Sequence, residues 1–133
     1  IWCLACKENN IVVSCVADGK GLEFLHPIDL YTIFGNAMDN AIECVKNLQK
    51  QEKRQIDVLI HRQHQFLIVQ IMNPVEEELE FEDNLPVTTK HDKAYHGYGL
   101  RSIKNSVKKY NGVFQVKIKD GCFCLKILFP IKE

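Results

Sequence analysis

The sequence predicts an α+β fold, a two-layer α/β sandwich in which helices cover one face of a mixed, mostly antiparallel sheet. Three observations carry this. β-Rich stretches come in pairs joined by short polar turns, as in "QIDVLIHR" with "FLIVQIMN" and "VFQVKIK" with "CFCLKILFP", so neighbours pair antiparallel. Helical periodicity appears between the strand pairs, over residues 28–50 and again from residue 100. Strand pairs mixed with helices fit a sheet with one helical layer.

Each element has a local reason. "IWCLACKENN" reads as the end of a helix that runs out at Asn9-Asn10. "IVVSCVA" is β-rich and is closed by the turn signal Asp18-Gly19-Lys20-Gly21. "LEFLHP" reads as short and extended, and Pro27 with Asp29 starts a helix. Leu30, Phe34, Ala37, Ala41, Val45 and Leu48 fall on one face of that helix. "FLIVQIMN" is apolar at nearly every position, as expected for a strand buried on both faces, and Pro74 stops it. Residues 75–98 lose all periodicity, acidic at first (Glu76, Glu77, Glu78, Glu80, Glu82, Asp83) and then "TTKHDKAYHGYG". A loop of that length inside a compact domain is usually functional or disordered. "LRSIKNSVKKY" is amphipathic, with Leu100, Ile103 and Val107 inward and Lys104, Lys108 and Lys109 outward, and Asn111-Gly112 ends it. Asp120-Gly121 turns the last hairpin.

Composition narrows the function. The chain has 133 residues, which suits one domain spanning residues 1–133. It begins with Ile1 rather than Met, and a longer parent protein is expected. Lys plus Arg is 17 and Asp plus Glu is 17, so the formal net charge is zero. That balance argues against a general nucleic-acid binder, which carries a basic excess. No apolar run approaches the roughly 18 residues that span a bilayer. Cys3 and Cys6 form a lone C-x-x-C, and Cys122-Phe123-Cys124 alternates like strand residues. A structural zinc site usually wants two such pairs. The six cysteines therefore read as reduced, small hydrophobes of a cytosolic protein.

Chemistry concentrates in three places. Asn36, Asn40 and Glu43 are spaced i, i+4, i+7 and share a helical stripe, with Asp39 beside it. A solvated helix side would explain such a stripe, but Asn is a poor helix former and is an odd choice twice on a plain surface. Its carbonyl oxygen is a neutral, hard ligand suited to a Mg²⁺ ion that keeps waters and phosphates for its other positions. "HGYGL", residues 96–100, reads as two glycines before a helix, where backbone N–H groups can meet an anion. The plain alternative there is a flexible helix start. Asn73 ends a buried strand where the long loop begins, either as an ordinary Asn-Pro turn or as a polar group at a pocket floor.

In this order the motifs resemble the GHKL ATP-binding (Bergerat) fold of histidine-kinase catalytic domains, gyrase-type ATPases, Hsp90 and MutL. "NAMDNAIE" is similar to the family's N-box and "GYGL" to its last glycine box. The chain more closely resembles the AgrC-like, peptide-sensing kinases of Gram-positive bacteria, through "NAMDNAIE", Asn73, Thr88-Thr89-Lys90, "HGYGL" and "KYNG". The resemblance implies ATP and Mg²⁺ as cofactors and an ATP lid over residues 75–98. It implies that Asn40 holds Mg²⁺ bridging the phosphates, with Asn36 on the same face and Glu43 on the same stripe. Asn73 stands where most relatives have an Asp that accepts a hydrogen bond from the adenine amino group. Gly97 and Gly99 would bring backbone amides to the phosphates, flanked by Tyr98 and Leu100, and Lys90 and His96 would reach the β- and γ-phosphates.

Two departures bear on function. "NPVEE" stands where the family has an Asp-x-Gly-x-Gly box. An Asn oxygen still accepts from an amino group, but the loss of charge and of both glycines points to weaker or less selective binding. Hydrolytic relatives carry a general-base Glu one turn before the Mg²⁺-binding Asn; here that position is Asn36, which favours transfer to another group over attack by water. The resemblance implies a phosphoacceptor His on a dimeric helical hairpin, outside this chain, and a response regulator as the next acceptor. None of the five His (His26, His61, His64, His91, His96) has an acidic, helical acceptor context. The implied setting is the cytoplasmic domain of a plasma-membrane protein, touching the membrane only through N-terminal segments outside this sequence. A GHKL ATPase and a degenerate, non-catalytic interaction module are the alternatives.

Overall fold

The alternation of apolar side chains fixes which face of the sheet is covered. The computed structural model describes residues 6–46, 48–75, 80–82, 85–87 and 93–131. Among the described residues seven strands are formed: β1 (Val12–Ala17), β2 (Gln55–Gln63), β3 (Phe66–Pro74), β4 (Glu80–Glu82), β5 (Leu85–Val87), β6 (Val113–Lys119) and β7 (Cys122–Pro130). Two α-helices stand between them, α1 (Pro27–Val45) and α2 (Lys93–Lys108). The main sheet has the order β1-β2-β3-β7-β6. Only the β1–β2 pair is parallel, and the chain between those strands contains α1, the crossover that a parallel pair requires. The antiparallel register places Val58 opposite Ile71 and Ile71 opposite Leu125. These residues, with Val69, Ile127 and Phe129, form the buried face. Ile33, Ala37, Ala41 and Val45 of α1 and Leu100, Ile103 and Val107 of α2 complete one core. The expected two-layer architecture is therefore the one observed.

Several boundaries differ from expectation. The turn expected at residues 18–21 is there as a 3₁₀ turn, Gly19–Leu22, but residues 23–25 after it turn and bend and do not run extended. Helix α1 ends at Val45, before residue 50, yet Leu48 is still buried beyond its end. Its buried face includes Ile33, Met38 and Ile42, whereas Leu30 and Phe34 are only half-buried. The reason is that α1 packs against both the sheet and α2, so two sides are covered. Two short strands, β4 and β5, pair antiparallel inside the stretch that showed no periodicity. Helix α2 begins at Lys93, so Gly97 and Gly99 lie within it. No helix among the described residues is long and apolar enough to cross a membrane.

Candidate functional site

Helix α1 is begun by His26, whose ring Nδ1 accepts from the Ile28 N–H at 3.2 Å, followed by Pro27 in the first turn. From this start the 3.6-residue period puts Asn36, Asn40 and Cys44 along one edge. Asn36 is half-buried, and its Nδ2 donates to the Thr32 carbonyl at 2.8 Å. That bond leaves Oδ1 facing α2, where a Cβ added at Gly99 would stand 3.4 Å from it. Gly99 thus lies against the polar edge of α1. Asn40 is buried on the same edge. Glu43 is tied along the helix by an ion pair with Lys46 at 2.8 Å.

Asn73 closes the site from the sheet. It lies opposite Phe123, on the face turned toward the helices, and is 1% exposed. Its Nδ2 donates to the Pro74 carbonyl at 3.0 Å. Its Oδ1 is buried and has no hydrogen-bond partner. An orphaned buried acceptor costs about 1–3 kcal/mol, which sets this oxygen apart from the paired polar groups around it. Burial pushes the neighbouring Cys44 thiol up to about 11, with the Asn73 side chain opposing the shift, so Cys44 stays protonated and unreactive near neutral pH.

The structure brings Asn73 to the Cys44 end of the α1 edge and sets Gly99 of α2 against Asn36. Leu100 is 1% exposed and belongs to the hydrophobic core rather than to this edge. Gly97 and Gly99 do not precede the helix; the free N–H groups at its start belong to residues no later than 95, while those of residues 96, 97 and 99 lie inside it. Tyr98 also lies inside α2. Lys90 lies outside the described residues, as does much of the expected lid. Sequence reasoning missed Cys44, although its i+4 spacing from Asn40 marks it. It also missed Asp29, whose carboxylate accepts from Tyr110 Oη at 2.6 Å and pairs with Lys109 at 3.0 Å.

The donor set suits one kind of metal. No cluster of three or more His, Cys, Asp or Glu able to hold an ion occurs among the described residues. Asn40 offers a neutral oxygen, which fits Mg²⁺ that takes its other ligands from phosphates and water.

Residues 25–130 match the GHKL domain family, and the chain belongs to that family. Its fold is that of histidine-kinase catalytic domains. Over 97% of its length it is similar to a structure of the ThkA histidine-kinase catalytic domain, with a TM-score of 0.73, 16% identity and 84% of that chain covered. A second ThkA catalytic-domain structure gives a TM-score of 0.70 at 18% identity, covering 97% of this chain and 85% of the other. The Acinetobacter baumannii histidine kinase AdeS gives 0.66 at 12% identity over 99% of this chain, which spans only 60% of the AdeS chain. No curated protein matches the sequence significantly.

Proposed function

We propose that this chain is the ATP-binding catalytic domain of a sensor histidine kinase of the AgrC-like, peptide-sensing type. The observation that carries the reading is the buried, unpartnered Asn73 oxygen beside the Asn-bearing edge of α1. In this reading the Asn73 oxygen accepts the adenine amino group. Asn40 holds Mg²⁺, which supplies charge neutralisation on the phosphates when bound. Asn36, His96 and Lys90 serve the phosphate end. The domain's task is positioning and charge stabilisation, because phosphoryl transfer asks little covalent chemistry of the protein. Asn36 bears an amide, which takes no proton from water near neutral pH and so provides no general base. This favours transfer to a His over hydrolysis.

The remaining parts of the proposal concern what surrounds the domain. The phosphoacceptor is a His on a dimeric helical hairpin of the parent protein, and a response regulator receives the phosphoryl group on Asp. Membrane attachment belongs to segments outside this sequence, in the plasma membrane of a Gram-positive bacterium, with this domain in the cytoplasm. Residues 75–98 act as the ATP lid.

The test is incubation with γ-labelled ATP and Mg²⁺, with and without a supplied hairpin. The chain alone should incorporate no label and release little phosphate, and the hairpin's His should become labelled when supplied. Label on the chain itself would refute the reading. Sustained Mg²⁺-dependent hydrolysis would favour a GHKL ATPase instead.

A further inference from the structure

The face of the sheet turned away from the helices carries a cluster of sulfur that the nucleotide site does not use. Strand alternation puts it there. Phe123, Leu125 and Ile127 of β7 belong to the core, so Cys122, Cys124 and Lys126 stand on the opposite, open face. Ile71 of β3 is likewise in the core and Met72 on the open face. The register sets Cys124 opposite Met72 on one side and opposite Lys117 of β6 on the other. Cys122 lies opposite Pro74 and Lys119. Cys122, Cys124 and Met72 are all half-buried, and both cysteines are free thiols.

Opposed residues of such strands hold their Cβ atoms about 4.5–5.5 Å apart, and diagonal ones are within reach of a long side chain. The flexible Met72 thioether is therefore within reach of both cysteines. Cys122 and Cys124, two residues apart along an extended strand, are separated by about 6.5 Å. A disulfide needs Cβ atoms about 3.5–4.5 Å apart, so the two thiols do not close on each other within the strand. A metal between them adds two sulfur–metal bonds of about 2.3 Å each and spans the gap. The contact of the Cys122 thiol with the Phe123 carbonyl is long, 3.8 Å, and costs little to give up.

We propose that Cys122, Cys124 and Met72 form a binding site for a soft monovalent cation of the Cu(I) type, held by two thiolates and one thioether. Sulfur ligands of these two kinds select Cu(I) over a hard ion such as Mg²⁺. Structural zinc wants a fourth ligand that this set does not supply. The third ligand is a thioether, which distinguishes the site from clusters of three or more His, Cys, Asp or Glu, of which the described residues hold none. Binding releases both thiol protons to solvent, so the bound unit carries one net negative charge. Lys117 and Lys119, each directly across from one of the cysteines, offset that charge. Asp57, opposite Met72 on the far side, accepts from Gln55 Nε2 at 2.9 Å and offers only hard oxygen. The site is independent of the nucleotide reading.

The test titrates the folded, reduced chain anaerobically with Cu(I) held by the competing chelator bicinchoninate, whose loss of colour reports uptake. Cys3→Ser is the background throughout, because it removes the C-x-x-C pair as a rival acceptor. Circular dichroism checks the fold of each variant. The background chain should take up one equivalent of Cu(I) with no change of size on size-exclusion chromatography. Cys122→Ser and Cys124→Ser should each lose that equivalent. Met72→Leu, close in volume, should retain it with affinity lowered by about 10-fold or more, since even an outer partner of a metal ligand is worth that much. Cys15→Ser, at an exposed cysteine of β1, should leave uptake unchanged. If Cys124→Ser does not fold, Cys122→Ser decides alone. No uptake by the background chain, or the same uptake in Cys122→Ser, would overturn the proposal. Unchanged affinity in Met72→Leu would overturn it too, as would a doubling of size with Cu(I), which would put the sulfurs of two chains around the ion.

Discussion

Tyr110 joins two parts of the chain through one hydroxyl. Its Oη donates to Asp29 at 2.6 Å and accepts from the His26 N–H at 2.9 Å, so the end of α2 is fastened to the start of α1. Its ring stands edge-on to Phe24 and Phe129. The hydrogen bond from Tyr110, followed by that from Lys109, holds the Asp29 carboxyl below the ordinary carboxylate range. The same bond holds the Tyr110 phenol above its ordinary value. A lowered folded carboxyl pKa stabilises above the unfolded value and fades as pH falls through the folded one. A raised folded phenol pKa stabilises below the unfolded value and fades as pH rises through the folded one. Tyr110→Phe should therefore lower the melting temperature most near neutral pH. The gap from the unmodified chain should shrink in acid below the ordinary carboxylate range and in alkali above the tyrosine range. A gap independent of pH would contradict this. The "KYNG" motif is accounted for in the same place: Asn111 takes a left-handed φ of 58°, and a Cβ at Gly112 would stand 2.7 Å from Val107 Cγ1.

At the scale of elements, the sequence is most legible where a regular period is bounded by turn residues. The β6–β7 hairpin, with Asp120 and Gly121 both at positive φ, lies where alternation and the Asp-Gly signal place it. The start of α2 was not legible, because two glycines and a polar approach argue locally against helix. Packing on α1 outweighs that propensity, and a Cβ at Gly99 would meet Asn36 only at ordinary contact distance. Gly99→Ala should therefore leave the melting temperature unchanged or raise it, since Ala gains about 0.5–1 kcal/mol over Gly inside a helix and the added Cβ meets a movable amide. A marked fall would contradict the interior placement. The candidate site was partly legible. The Asn36 and Asn40 spacing and the strand-ending Asn73 could be read directly. The nearness of Asn73 to Cys44 could not, because it depends on how α1 lies across β3.

At the scale of the whole molecule, one side of the sheet supports both helices, and α1 serves two purposes. Its apolar sides bind the sheet and α2, while the edge between them carries Asn36, Asn40 and Cys44 toward Asn73. The measurement that tests this account most directly is calorimetric titration with a non-hydrolysable ATP analogue, with and without Mg²⁺, on the unmodified chain and on Asn40→Ala and Asn73→Ala. The account predicts Mg²⁺-dependent binding that is abolished in Asn40→Ala. In Asn73→Ala it predicts binding about 10-fold or more weaker, the loss of about one buried hydrogen bond. Absence of binding in the unmodified chain, or binding indifferent to both substitutions, would contradict it.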